Sequence, residues 1–245
     1  MFVRFSVLCG WTSPDYNQTH MTTRDIALIH TSPAAIPPLM QFYSEAAPDL
    51  RITNQLDDGL LRLLAAQNYE VASERLASML DTAVRTYGAE LAMITCSSVT
   101  KKMAEQLDNS FTIPVLKIDY PMAREAIAHG KRIGLAATFP PTVVPTTKLL
   151  NDAAAEAGAE IEIVEQVVPE AYTALLAGSP EAHDRLLLEG LKQLERSNVS
   201  AIVLAQVSMA RILPLVEGCV SVPVLSSLHT SLSAIRDVLN TSANE

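Results

Sequence analysis

The chain states one pattern twice. Ile26-Ala27-Leu28-Ile29-His30-Thr31-Ser32-Pro33 returns as Ile133-Gly134-Leu135-Ala136-Ala137-Thr138-Phe139-Pro140, an offset of 107 (133 − 26). Leu91-Ala92-Met93-Ile94-Thr95-Cys96 returns as Ala201-Ile202-Val203-Leu204-Ala205-Gln206, offset 110 (201 − 91). Ile113-Pro114-Val115-Leu116 returns as Val222-Pro223-Val224-Leu225, offset 109 (222 − 113). Three matches in order at nearly one offset mark a duplicated unit. At one matched position the halves differ, Cys96 against Gln206, so a site shared by both halves holds one thiol and not two.

Apolar runs of four to six residues bounded by Gly, Pro, Ser or Thr read as buried parallel strands. They are Ile26–Ile29, Leu91–Thr95, Val115–Ile118, Ile133–Ala136, Ile161–Val164, Ala201–Ala205 and Val222–Leu225. Between them, Tyr69–Tyr87, Pro145–Ala157 and Pro180–Arg196 place apolar residues at helical spacing. Ser179-Pro180 suits a helix start, and Gly88 and Gly158 suit helix ends. Alternating strands and helices predict an α/β fold of two pseudo-symmetric domains, each a parallel sheet flanked by helices, with the active site in the cleft between them. Residues 24–118 with 226–245 are expected to form the first domain and 119–225 the second, while residues 1–23 read as a disordered N-terminal extension.

Composition narrows the function. A formal charge of −9 without a local basic patch argues against nucleic acid and anionic membrane as partners. No stretch is long and apolar enough to span a bilayer, and the first residues make a poor signal peptide. Cys9, Cys96 and Cys219 have no metal-ligand spacing and no disulfide pattern, which fits a reducing cytoplasm. Asp57-Asp58-Gly59 reads as a solvated turn rather than a metal site. Ala-rich helix faces permit a homo-oligomer without requiring one.

The chemistry-bearing residues fall just past strand ends. Cys96 precedes Ser97-Ser98-Val99-Thr100-Lys101, read as a turn entering a helix, where free N–H groups favour a thiolate. Its alternative is a small buried hydrophobe. Ser97 and Ser98 read as a carboxylate cradle, as helix caps, or as both. Thr138 with Phe139, and their mates Thr31 with Ser32, sit at matching turns. Gln206 donates and accepts hydrogen bonds but takes no proton from carbon, and Ser208 follows it as a second polar candidate. His30 and His229 follow strands and are candidates for the cleft, against a bland reading as loop histidines. Cys219 reads as structural.

Together, Thr95-Cys96-Ser97-Ser98, Leu135-Ala136-Ala137-Thr138 with Thr142-Val143, and Leu204-Ala205-Gln206-Val207-Ser208-Met209-Ala210 resemble the cofactor-independent aspartate/glutamate/hydantoin racemase superfamily. The likeness covers about residues 24–240. It implies a small anionic carboxylate or hydantoin-like substrate between the domains, with two cysteines moving a proton on opposite faces of a carbon and neither pyridoxal phosphate nor metal. Carried over, Cys96 is the first acid/base, Ser97, Ser98 and Thr138 bind carboxylate, and Gln206 stands in the second cysteine's place. The superfamily includes a one-cysteine arylmalonate decarboxylase. A one-thiol decarboxylase of a malonate-like acid and a catalytically silent carboxylate-binding protein are therefore the alternatives to a racemase.

Overall fold

The structure, a computed structural model, describes residues 23–242. The expected N-terminal extension lies, apart from Thr23, outside the described residues. In the first half, β1 (Arg24–His30), α1 (Ile36–Ala46), β2 (Leu50–Leu56), α2 (Leu60–Ala65), α3 (Tyr69–Tyr87), β3 (Leu91–Ile94), α4 (Lys101–Asp108) and β4 (Val115–Lys117) follow in order. After the bridging helix α5 (Tyr120–His129), the second half runs β5 (Arg132–Ala137), α6 (Val143–Glu156), β6 (Glu162–Val167), α7 (Pro169–Leu176), α8 (Pro180–Arg196) and β7 (Ala201–Leu204). It closes with α9 (Leu213–Val216), β8 (Val224–Leu225) and α10 (Ser227–Ser242). The two all-parallel sheets have the orders β2-β1-β3-β4 and β6-β5-β7-β8, the same order on duplicated elements.

The duplication extends to single hydrogen bonds. Thr95 donates its backbone N–H to the Ile29 carbonyl, as Ala205 does to Ala136. Ala92 donates to Pro114 as Ile202 does to Pro223, and Glu90 to Asp25 as Ser200 does to Arg132. Among the strands of the described residues, edge strand β2 is the one without a sequence-based forecast. Its buried and exposed positions are mixed, and Arg51, Asn54 and Gln55 interrupt the apolar run that marks a central strand. Helices α3 and α8 start and end where their periodicity predicts. Gly88, at φ 67°, closes α3 in the left-handed region that glycine enters without a Cβ penalty. Ser179 holds the cap position of α8, but its side chain makes no capping bond there.

Each sheet alternates its side chains between two helix layers. Ala27, Ile29, Ala92 and Ile94 pack under α3 and α4, whereas Ile26, Leu28, Leu91 and Met93 pack under α1 and α10. The second sheet repeats this, with Ile202 and Leu204 under α8 and Leu135 and Val203 under α5 and α6. The helix that follows the fourth strand is thus exchanged: α5 leaves the first sheet to cover the second, and α10 returns to cover the first. Leu228, Ile235 and Leu239 carry the burial of α10. The Tyr43 hydroxyl donates to Ser231 Oγ at 2.7 Å, Ser231 donates to the Leu228 carbonyl, and Arg236 grips both oxygens of Asp49.

Close packing of α8 on β6 depends on Gly190, where an added Cβ would stand 2.8 Å from Val168 Cγ2 and 3.4 Å from Gln166 Cγ. Gly190→Ala is expected to lose about 1–3 kcal/mol through overpacking, against the helix propensity it gains. Urea denaturation checks this; unchanged or raised stability would refute the close-packing account.

Candidate active site

In parallel sheets of this kind ligands gather at the carboxyl ends of the strands, and here the ends of β3 and β7 carry the differing pair. Cys96 extends the alternation of Ala92 and Ile94 onto the α3 side and is 7% exposed, packed in the cluster that holds Val99, Met103 and Ala104. The turn entering a helix that the sequence predicts after Cys96 is present in the structure. Val99 N–H turns back to the Cys96 carbonyl, and α4 begins only at Lys101, capped by Thr100 Oγ1 accepting from Met103 N–H at 3.2 Å. Ser97 and Ser98 are therefore not the caps. The half-buried Ser97 and exposed Ser98 instead line a small cavity of about 40 Å³ with Lys117, Pro145 and Lys148.

Gln206 is half-buried, and its amide is fully directed. Its Oε1 accepts from Thr138 N–H at 2.8 Å and Phe139 N–H at 3.3 Å, while its Nε2 donates to Thr138 Oγ1 at 3.0 Å. Two converging donors require the oxygen on that side of the amide. Thr138 is 1% exposed, whereas Phe139 lies at the surface with its ring 5.1 Å from that of Tyr172. Thr31 is buried and Ser32 half-buried at the matching end of β1. Ser208 is half-buried in the 3-10 turn Val207–Ile212 that follows Gln206.

The histidines separate. His30 ends β1 fully buried, with Nδ1 2.8 Å from Thr95 Oγ1 and Nε2 2.9 Å from Asn54 Oδ1. The Asn54 oxygen only accepts, so Nε2 donates to it, while Nδ1 meets the Thr95 hydroxyl, which also bonds the Ile29 carbonyl at 3.1 Å. Both nitrogens are used to tie β1 to β2 and β3, and burial pushes the His30 pKa below its ordinary 6.5 against the opposing Asn54 bond. His30 thus serves as a strut rather than a cleft residue. His229 sits in the first turn of α10, not in the preceding loop; it is exposed, edge-on to Phe42 at 4.9 Å, and lines a cavity of about 220 Å³ with Glu125 and Ser226. Cys219, read from sequence as structural, is exposed.

Two charged groups near the strand ends have no counterpart in the sequence-based expectations. Lys117 and Asp119 form a buried ion pair at the end of β4, and Lys117 faces the Ser97–Ser98 cavity. In the first turn of α8, His183 is fully buried, with Nδ1 2.8 Å from Asp184 Oδ1, while Arg211 grips both Asp184 oxygens at 2.7 and 3.0 Å. Burial raises the Asp184 pKa, but Arg211 and His183 outweigh it and hold the carboxyl below its ordinary value. His183 Nε2 is buried without a hydrogen-bond partner among the described residues. The repeat carried the signal: Leu76, Leu80 and Ala83 match Leu187, Leu191 and Leu194 at offset 111 (187 − 76), which pairs His183 with Ala72. A groove of about 760 Å³ is lined by Tyr69, Lys101, Lys148 and Glu156, but by neither Cys96 nor Gln206. Among the described residues no His, Cys, Asp or Glu group is arranged to hold a metal, and no helix is long and apolar enough to cross a membrane.

The model of the family described as Asp/Glu/Hydantoin racemase matches residues 18–235. No curated protein sequence matches the chain. Among solved structures, an aspartate racemase homologue from Pyrococcus horikoshii superposes with TM-score 0.66 at 16% identity, covering 90% of this chain and 100% of its own. A glutamate racemase from Bacillus anthracis gives 0.65 at 15%, covering 90% of this chain and 83% of its own. An unliganded arylmalonate decarboxylase gives 0.57 at 15%, covering 88% and 92%. At these identities the structures speak for the fold, and the family match carries the rest.

The buried imidazole makes a pH prediction. Its folded pKa lies below the 6.5 of an unburied histidine, so the unfolded chain binds the proton more readily. The His30 contribution to stability is complete above pH 6.5 and is lost as pH falls through the folded pKa. Wild-type urea midpoints are expected to drop between about pH 7 and 5, and the drop to be smaller in His30→Gln; parallel profiles would refute the assignment.

Proposed function

This chain belongs to the Asp/Glu/Hydantoin racemase family, and on that premise we propose that it is a cofactor-independent, racemase-like isomerase using Cys96 as acid/base at a carbon next to a carboxylate or carbonyl. The observation that carries the reading is the matched pair of strand ends, with a thiol at one and an amide at the other. In this reading a thiolate at Cys96 takes the α-proton, the adjoining carboxylate or carbonyl stabilises the carbanion, and its charge is met by hydroxyls of Thr31, Ser32, Ser97, Ser98 and Thr138 and by backbone N–H groups, that of Phe139 included. Ser208 is an additional contact in this reading. The substrate is a small carboxylate or hydantoin-like molecule. Residues 24–118 with 226–245 and residues 119–225 are taken as the two domains, supported by the exchanged packing of α5 and α10. Free thiols at Cys96 and Cys219 accord with a cytoplasmic setting.

Gln206 favours one second reading. An amide returns no proton to carbon, so a single thiol suits a lyase that releases CO2 from a malonate-like acid and protonates the carbanion from one face. The structural likeness to arylmalonate decarboxylase is compatible with it.

Incubating candidate amino acids, hydantoins and malonates in D2O separates the readings. Deuterium entering the α-position with loss of optical rotation supports the isomerase; CO2 release supports the lyase. Under either reading Cys96→Ala is expected to lose about 10²–10⁴-fold in rate while the fold is retained. A variant of undiminished rate would remove Cys96 from the mechanism. Bound substrate is also expected to protect Cys96 from iodoacetamide while the exposed Cys219 reacts at an unchanged rate. Equal labelling of Cys96 with and without substrate would place the ligand elsewhere.

A further inference from the structure

The end of β5 is built to hold an oxygen. Thr138 N–H and Phe139 N–H converge on one point, the Thr138 hydroxyl lies beside them, and the oxygen now at that point belongs to the chain's own Gln206. At the matching position of the first half stands Cys96, whose side chain is shorter by two heavy atoms and carries no amide. We infer that Gln206 is a gate on the second-half cradle, and that it selects ligands bearing a carboxylate over ligands bearing only neutral carbonyls. This rests on the proposal that the strand ends form the substrate site, and it decides between the two substrate classes that proposal leaves together.

The selection follows from what the incoming group must replace. A neutral carbonyl displacing the Gln206 oxygen exchanges one amide-type acceptor for another and gains nothing at these donors. A carboxylate brings charge-assisted hydrogen bonds, roughly twice as strong as neutral ones. Its second oxygen can also accept from the Thr138 hydroxyl, whose own proton is not used in accepting from Gln206 Nε2. Gln206 is half-buried, so its displaced amide has water to turn to. Closure lowers the apparent affinity by the fraction of molecules that are open; two or three neutral hydrogen bonds make that about tenfold or more.

The test uses the full chain labelled with 15N, following the Thr138 and Phe139 amide resonances during separate titrations with malonate and with neutral hydantoin. In the wild type malonate is expected to move both resonances and hydantoin neither. In Gln206→Ala both probes are expected to move them, with malonate binding about tenfold more tightly than in the wild type. In Gln206→Glu a tethered carboxylate takes the cradle, and neither probe is expected to move them. Equal malonate affinity in the wild type and Gln206→Ala would overturn the gate. So would hydantoin matching malonate in the wild type, a comparison that needs no variant. Resonances indifferent to malonate in the wild type and in Gln206→Ala would remove the cradle itself. The readout does not use turnover. A gate that behaves as stated in a protein that exchanges no α-deuterium refutes the catalytic proposal alone, while Cys96-dependent exchange with an unresponsive cradle refutes the gate alone.

Discussion

The exchange of α5 and α10 between the sheets is the constraint on which the rest of the molecule depends. One face of the first sheet, formed by Ile26, Leu28, Leu91 and Met93, is apolar and is completed by Leu228, Ile235 and Leu239, which arrive from the far end of the chain. The matching face of the second sheet is covered by Met122, Ala123 and Ala126 of α5, which follows directly on the first half. The first sheet does not bury this face with its own contiguous sequence, whereas the second is covered from within the contiguous stretch 119–225. The hydrophobic gain of the first half therefore requires a helix that follows the second, which ties the two halves through core burial. Polar pairs add direction to this: Tyr43 with Ser231, and Asp49 with Arg236, fix how α10 lies.

Within this symmetric frame the chemistry is asymmetric in two linked places. The first half has Cys96 at the strand end and Ala72 in the first turn of its long helix; the second has Gln206 and His183. The first half is thus apolar around a thiol, and the second is polar around an amide, with Asp184 and Arg211 neutralising one another beside the imidazole. A duplicated scaffold tolerates such divergence because the strand hydrogen bonds and helix stripes that hold it do not pass through these side chains.

Much of this was legible in the sequence, for a local reason. Central strands such as β3 and β7 are short apolar runs because both faces are covered, and α3 and α8 show helical periodicity over their full length. The matched offsets located Thr31, Cys96, Thr138 and Gln206 at strand ends, where they lie. Edge strand β2 escaped because one side of it meets water and its sequence is mixed. Ser97, Ser98 and Thr100 are all competent caps for α4, and only the turn from Val99 to Cys96 selects Thr100. His30 looked like a cleft residue because its position at a strand end is visible, while its bonds to Thr95 and Asn54 come from two other strands.

By itself the sequence determined the duplication, the α/β class and the Cys96–Gln206 difference, since each is written in period and spacing along the chain, while its motifs resembled the family that the family match shows. Only the tertiary structure decided which oxygen fills the Thr138–Phe139 cradle, which histidine is a strut, and which helix covers which sheet. Those outcomes depend on groups 24 to 188 positions apart meeting within hydrogen-bond distance, as His30 meets Asn54, Gln206 meets Thr138 and Tyr43 meets Ser231. Sequence spacing encodes neighbours on one element; the packing of separate elements is set by the burial they achieve together.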